Sequence, residues 1–202
     1  MSRAFLSAGV TCCVLWLGGC VVGQSLPAGY QATPAAPIGE GTYLSVEVHD
    51  ERPYVLSGDK PPYFIGKYRA GFGNPWDVTT EGQQPLAGVI ERDLSADLRA
   101  LGYSVVSTAE AQRRLDVAIM DWNFDAMING KFWYEFRLRV LDAAGTLLTE
   151  DTVTDASFIE GSFWTGAKGA FEKQMPDLYA GAIRKIAREN AGIIAALDAR
   201  SP

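Results

Sequence analysis

Histidine and cysteine are nearly missing from this 202-residue chain, which has one histidine, His49, and three cysteines, Cys12, Cys13 and Cys20. A zinc site requires several converging ligands, and a nucleophile–histidine pair requires a histidine set against a serine or cysteine. His49 stands beside Asp50 and Glu51 with no second histidine in the chain, so it reads as a strand-end residue, and no metal or cofactor is expected. Basic residues are also in deficit, 18 Lys and Arg against 24 Asp and Glu, for a net charge of −6. Nucleic acid binding needs clustered cations, so the composition argues against that partner. No apolar run reaches a comfortable membrane span of about 20 residues. The G-x-S-x-G nucleophile motif is absent, and Gly71-Phe72-Gly73-Asn74-Pro75 lacks the lysine and the strand-to-helix setting of a phosphate loop.

What is present is concentrated at the start. Arg3 is the only charge before Cys20, and residues 4–17 form an apolar run of signal-peptide length. The run ends in Leu17-Gly18-Gly19-Cys20, where an ordinary signal carries an A-x-A-like site. A leucine, two small residues and a cysteine resemble the lipobox of bacterial lipoproteins. That resemblance implies cleavage between Gly19 and Cys20, a diacylglycerol on the Cys20 thiol, and an acyl chain such as palmitate on the new amino terminus. Cys12 and Cys13 leave with the signal, so Cys20 has no disulfide partner in its own chain. Several acyl chains, at about 0.8 kcal/mol per buried CH₂, hold a protein on a bilayer where one chain does so only marginally. Val21 rather than Asp follows, which in the usual bacterial sorting pattern resembles an outer-membrane lipoprotein whose domain faces the periplasm.

Residues 1–19 are thus the expected signal peptide. Residues 20–42, with Pro27, Pro34 and Pro37 and no amphipathic period, read as acylated cysteine plus flexible tether, leaving 43–202 as one α+β domain. Hydrophobic residues make up 48% of the chain, enough for a core. Leu44, Val46 and Val48 alternate with polar neighbours as a half-buried strand, and the irregular stretch at 54–84 has room for short strands at 63–69 and 76–80. Leu86, Val89, Ile90, Leu94, Leu98 and Leu101 recur at helical spacing between Pro85 and Gly102. Residues 103–106 predict a short strand, 108–114 a brief helix capped by Thr108, and 115–124 another strand. Asn129-Gly130 predicts a two-residue hairpin turn. That register sets Ile119 against Val140 and Met120 against Arg139, with Leu115, Val117, Ile119, Phe136, Leu138 and Val140 on the core face. Asp142-Ala143-Ala144-Gly145 turns into a strand at 146–157, and apolar spacing over 168–200 predicts a helix started or kinked by Pro176. The expected architecture is an α+β two-layer sandwich, a mostly antiparallel sheet against two long helices.

V-E-V-H-D-E-R-P at 46–53, Ile65-Gly66, Leu101-Gly102-Tyr103 and Leu115-Asp116-Val117-Ala118-Ile119 precede the 161–171 stretch and a C-terminal helix. In that order they resemble the YajG-type bacterial lipoproteins over most of the mature chain. The resemblance implies an α+β envelope domain and carries no catalytic residues over. The 54–84 insertion departs from the pattern, so no role of that segment is inherited.

The hairpin face opposite the core is expected to gather Met120, Trp122 and Trp133 with Glu135, Arg137 and Arg139, an aromatic and arginine mixture of the kind that dominates interfaces. A cover formed by 54–84, or a bulge that exchanges the faces, would hide it instead. Asp50, Glu51 and Arg52 before Pro53 read as a turn fixed by an Asp–Arg pair. Carboxylate pairs such as Asp121 with Asp125, or Glu150 with Asp151, suit a glycosidase only at a defined separation. The expected function is therefore non-enzymatic: an envelope lipoprotein, attached to the membrane through Cys20, that binds another envelope protein or itself. The alternative is a periplasmic enzyme or ligand carrier acting on cell-wall material through clustered carboxylates in a deep pocket.

Overall fold

The computed structural model describes residues 24–26, 30–39, 41–69, 75–161 and 166–199, so Cys20 and the expected signal peptide lie outside the described residues. In chain order the elements are β1 (Gln24–Leu26), β2 (Tyr43–Asp50), α1 (Pro53–Leu56), β3 (Phe64–Arg69) and β4 (Pro75–Thr80). There follow α2 (Leu86–Ala100), β5 (Ser104–Val105), β6 (Arg113–Ala126), β7 (Gly130–Asp142), β8 (Leu147–Ile159), α3 (Gly166–Arg184) and α4 (Ala191–Asp198).

β6 and β7 are the axis of the sheet. Phe132, Tyr134, Phe136, Leu138 and Val140 on β7 are buried at every second position, as a strand with one face to a core requires, and Leu115, Val117 and Ile119 on β6 are buried with them, although Asp116 and Ala118 between them are covered too. β8 continues the meander antiparallel to β7. On its other edge β6 takes two strands end to end, both parallel to it: β2 along residues 113–119, and β3 at Asp125 and Ala126. β5 extends the sheet beyond β2, while β4 and then β1 extend it beyond β3. The eight strands therefore form one mixed sheet, not the mostly antiparallel one expected. Hairpins announce themselves through turn residues. Parallel pairs close over crossovers and leave no local mark.

α2 buries Leu86, Val89, Ile90, Leu94 and Leu98, as its spacing predicts. The C-terminal segment is not the second long helix expected. α3 contains Pro176, a π-helical turn follows at Lys185–Glu189, and Asn190 then caps α4 by accepting the Ile193 N–H at 3.0 Å. The break changes the helical phase. Met175, Tyr179, Ile183 and Ile186 are buried before it and Ile193 and Leu197 after it, whereas Ile194 is half-buried. The helix expected at 108–114 is a turn closed by the Glu110 N–H on the Ser107 carbonyl, because Arg113 and Arg114 already belong to β6.

Where it is described, the segment expected as a free tether lies on the domain. β1 pairs with β4, the Ile38 N–H donates to the Leu101 carbonyl at 2.8 Å, and the Thr33 carbonyl accepts from Arg188 at 2.5 Å. The physical reason is Asp97, fully buried on α2, whose charge needs partners. Arg188 forks onto it at 2.6 Å through both Nε and Nη2, and the Tyr30 hydroxyl donates to it at 2.7 Å. Burial, with Asp97 adding to it, holds the Tyr30 phenol well above its ordinary pKa. Tyr30→Phe is expected to lower stability in urea by about 1.5–3 kcal/mol, the worth of a hydrogen bond to a charged group. Limited proteolysis should also cut sooner within residues 30–39. Unchanged protection would mean that the segment is held without Tyr30.

Candidate functional site

The hairpin forms where Asn129-Gly130 places it, with a different loop. Ala126 pairs with Gly130, so Met127, Ile128 and Asn129 make the connection, and neither Asn129 nor Gly130 has a positive φ. A second departure lies at Met120, where the register shifts between Ile119 and Asp121 and leaves Met120 as the extra residue of a β-bulge. Together they set Ile119 against Phe136 and Asp116 against Arg139. Below the bulge the net shift is even, so Leu115, Val117 and Ile119 still share the core face with Phe136, Leu138 and Val140. Above it the faces exchange, and Trp122, Phe124 and Ala126 turn inward.

This divides the expected partner surface. Trp122 is 0% exposed and belongs to the core, with its ring 4.9 Å from Phe132 and 5.8 Å from Tyr179. Met120 is half-buried at the bulge. Trp133, Arg137 and Arg139 stay on the outer face with Glu135, because alternation along β7 is unbroken there. Each has a partner. The Trp133 indole N–H donates to Asp121 at 2.8 Å, Arg137 to Glu51 at 2.7 Å and Arg139 to Asp116 at 3.1 Å. His49 Nε2 lies 3.9 Å from carboxylate oxygens of both Glu47 and Asp116, and Arg114 lies 3.7 Å from Glu47. The outer face is thus a lattice of alternating charges across β2, β6 and β7. Asp116 is buried beneath this face, while Glu47, Glu51 and their partners are partly exposed, and pairs of the exposed sort contribute about 0–1 kcal/mol each.

Beside Trp133, the outer face holds a depression of about 350 Å³ lined by Asp121, Lys131, Trp133, Glu135, Thr154 and Asp155. Asp121 is already occupied, accepting from the Trp133 indole and from the Trp122 N–H at 2.8 Å, with the Tyr54 hydroxyl at 3.4 Å. Burial first, with Asp121 adding to it and Arg52 opposing it, pushes the Tyr54 phenol up to about 12. Lys185 holds the Asp155 carboxyl below its usual range.

The carboxylate pairs do not converge. Asp121 and Asp125 lie four residues apart along β6, about 13 Å at ~3.3 Å per residue, against roughly 5–9.5 Å in glycosidases. Arg69 forks onto Asp125 at 2.9 and 2.7 Å and lowers its pKa, the reverse of what a general acid needs. Glu150 and Asp151 are adjacent on β8 and so project to opposite faces. Among the described residues no group of three or more His, Cys, Asp or Glu side chains gathers around a point where a metal could sit.

The Asp50–Arg52 pair forms as the sequence suggests, Arg52 donating Nε–H and Nη2–H to the two Asp50 oxygens at 2.7 Å each. Two features escaped sequence reasoning: the complete burial of Arg52, and the buried carboxylates Asp93 and Asp97 on α2. Their i, i+4 spacing does place the two aspartates on one helix face. Their partners, Tyr179 on Asp93 and Tyr30 and Arg188 on Asp97, are too distant in sequence to announce it.

The arrangement defines a class of small mixed α+β proteins with helices on a sheet built around a long meander. Protein XCC0632 from Xanthomonas campestris, a member of the DUF330 family, shares it with a TM-score of 0.50 and 15% identity over 79% of this chain and 91% of that one. A PelC dodecamer from Paraburkholderia phytofirmans gives a TM-score of 0.45 and 13% identity, over 84% of this chain and 96% of that one. A minor lipoprotein from Acinetobacter baumannii gives 0.38 and 11%, over 76% and 94% of the respective chains. At 15% identity the likeness to XCC0632 is one of fold alone. No family model matches the chain, and no curated protein matches it.

Proposed function

We propose that this chain is a non-enzymatic lipoprotein of the bacterial envelope, held to the outer membrane by acylated Cys20, whose periplasmic domain binds another envelope protein or a second copy of itself. The observation that carries the reading is Leu17-Gly18-Gly19-Cys20, in which Cys20 is the one cysteine that cleavage leaves. The resemblance to YajG-type lipoproteins supports it. For partner binding, the supporting features are the outer-face residues Trp133, Arg137 and Arg139 and the edge strand β8. β8 is 13 residues long and pairs only with β7 among the described residues, and an open edge of that length is a template for another strand. Cys20→Ser is expected to move the protein from the membrane to the soluble fraction on cell fractionation. An uncleaved precursor still in the membrane would mean that the apolar segment at 4–17 anchors the chain. Mild crosslinking followed by purification of the acylated protein should capture the envelope partner, or a dimer.

A further inference from the structure

β1 fixes where the chain enters the domain. It runs parallel to β4, Gln24 opposite Val78 and Leu26 opposite Thr80, so its direction followed backward points to the Pro75 end of β4. That end is level with the tip of the β6–β7 hairpin. Arg69 pairs with Pro75, Tyr68 with both Trp76 and Ala126, Ala126 with Gly130, and Gly130 with Ile159. Cys20 precedes Gln24 by four residues, a reach of about 14 Å at ~3.5 Å per residue. β6, with 14 residues, spans about 46 Å at ~3.3 Å per residue. An anchor on Cys20 therefore reaches the tip end of the sheet and not the other.

Exposed large apolar side chains gather at that same end. Met127 and Ile128 form the hairpin tip with 51% and 48% of their surface exposed, where turn positions ordinarily carry polar residues. Phe158, next to the end of β8, is 65% exposed and Trp76, near the start of β4, is 43% exposed. An open depression of about 540 Å³ beside the tip is lined by Asp125, which Arg69 holds, and by Asn129, Lys131, Ala156, Ser157 and Phe158. Lys67, Arg69 and Lys131 stand at this end beside Asp77 and Asp125, with Arg69 forked onto Asp125, which leaves Lys67 and Lys131 as the cations nearest the apolar cluster. Exposed apolar and aromatic side chains with lysines beside them are what the headgroup region of a bilayer accepts. The opposite end also exposes Tyr43, Leu147 and Leu148, but it lies beyond the reach of the Cys20 segment.

We propose that the tip end of the sheet is a membrane-contacting foot: Met127, Ile128, Phe158 and Trp76 enter the headgroup layer of the same bilayer that holds Cys20. The inference rests on the lipid-anchor reading and deepens it. Acyl chains alone leave a domain free to tumble. A foot beside the anchor stands the long strands up from the bilayer and turns the outer face of β6 and β7 sideways, where a neighbouring protein meets it.

The test uses the acylated, signal-cleaved protein carrying Ile128→Cys, Phe158→Cys or, at the far end of β8, Leu148→Cys. Acylation blocks Cys20, so an environment-sensitive fluorophore labels the new thiol alone. The proteins are placed on phosphatidylethanolamine and phosphatidylglycerol vesicles with and without nitroxide-labelled lipid. All three are expected to float with the vesicles, with probes at 128 and 158 blue-shifted and quenched roughly threefold or more beyond the probe at 148, as an interfacial contact requires. Flotation with equal quenching at all three positions overturns the foot and leaves the lipid anchor standing. Failure to float overturns both. Blue shifts at 128 and 158 that lipid nitroxides do not quench, and that persist in detergent, overturn the foot in favour of contact with a second copy.

Discussion

Trp122→Ala is expected to lower the stability of the domain by about 3–5 kcal/mol, read as an earlier midpoint in urea unfolding. Trp122 is fully buried above the Met120 bulge, and its ring lies 4.9 Å from Phe132, 5.9 Å from Tyr134 and Phe136, and 5.8 Å from Tyr179. It therefore joins β6 and β7 to α3, and truncation leaves a cavity lined by aromatic rings that collapse poorly. Its indole N–H is buried with no hydrogen-bond partner among the described residues. An unmade bond of that kind costs about 1–3 kcal/mol, so Trp122→Phe removes a penalty along with the contacts and should cost less than about 2 kcal/mol. Trp133→Ala, on the opposite face and half-buried, should stay within about 1.5 kcal/mol of the parent. It is the variant that tests the proposed partner surface without unfolding the domain. A Trp122→Ala protein with the parent midpoint would place Trp122 on the surface and the bulge elsewhere.

That contrast also shows how far the sequence could be read. α2 was legible because six apolar residues keep one helical period between Pro85 and Gly102. The strands β2, β3, β4, β6, β7 and β8 were legible through alternation and turn residues. Parallel pairing was not, because nothing in β2 or β3 marks which edge of β6 each will take. Trp133, Arg137 and Arg139 lie on the outer face because β7 is unbroken there, whereas Trp122, which lies beyond an extra residue, turns into the core. No glycine or proline sits at Met120 to signal that bulge. The N-terminal segment misled for a different reason. Its proline and alanine content argues for a tether, while the partners that fasten it, Asp97, Leu101 and Arg188, belong to distant helices or their ends.

Arg52→Ala is expected to cost about 3–5 kcal/mol, the penalty for leaving one charge of a buried pair without the other. β2 leaves the edge of β6 at Asp50, opposite Ile119, and β3 joins the same edge only at Lys67, opposite Asp125. Backbone groups between those points need other partners. The Glu51 N–H donates to the Ile119 carbonyl at 3.0 Å and the Tyr54 hydroxyl to the Trp122 carbonyl at 2.7 Å. Arg52 fills the junction itself, 0% exposed, forking onto Asp50 and donating to the carbonyls of Phe64 at 2.5 Å and Pro62 at 3.0 Å. Burial works against its charge, but Asp50 outweighs it, and the guanidinium pKa stays above its ordinary value. A lysine has no planar fork, so Arg52→Lys should recover less than half of the loss. Asp50→Ala combined with Arg52→Ala should cost little more than either alone in urea unfolding, since both remove one unit. Additive losses, or parent stability in Arg52→Lys, would show that the junction holds without the fork. The start of the 54–84 insertion thus completes a sheet edge rather than covering the outer face. Because β3 carries β4, and β4 carries β1, loosening Arg52 should also loosen the strand nearest Cys20, so that Arg52→Ala on vesicles keeps its flotation and loses the position-dependent quenching at 128 and 158.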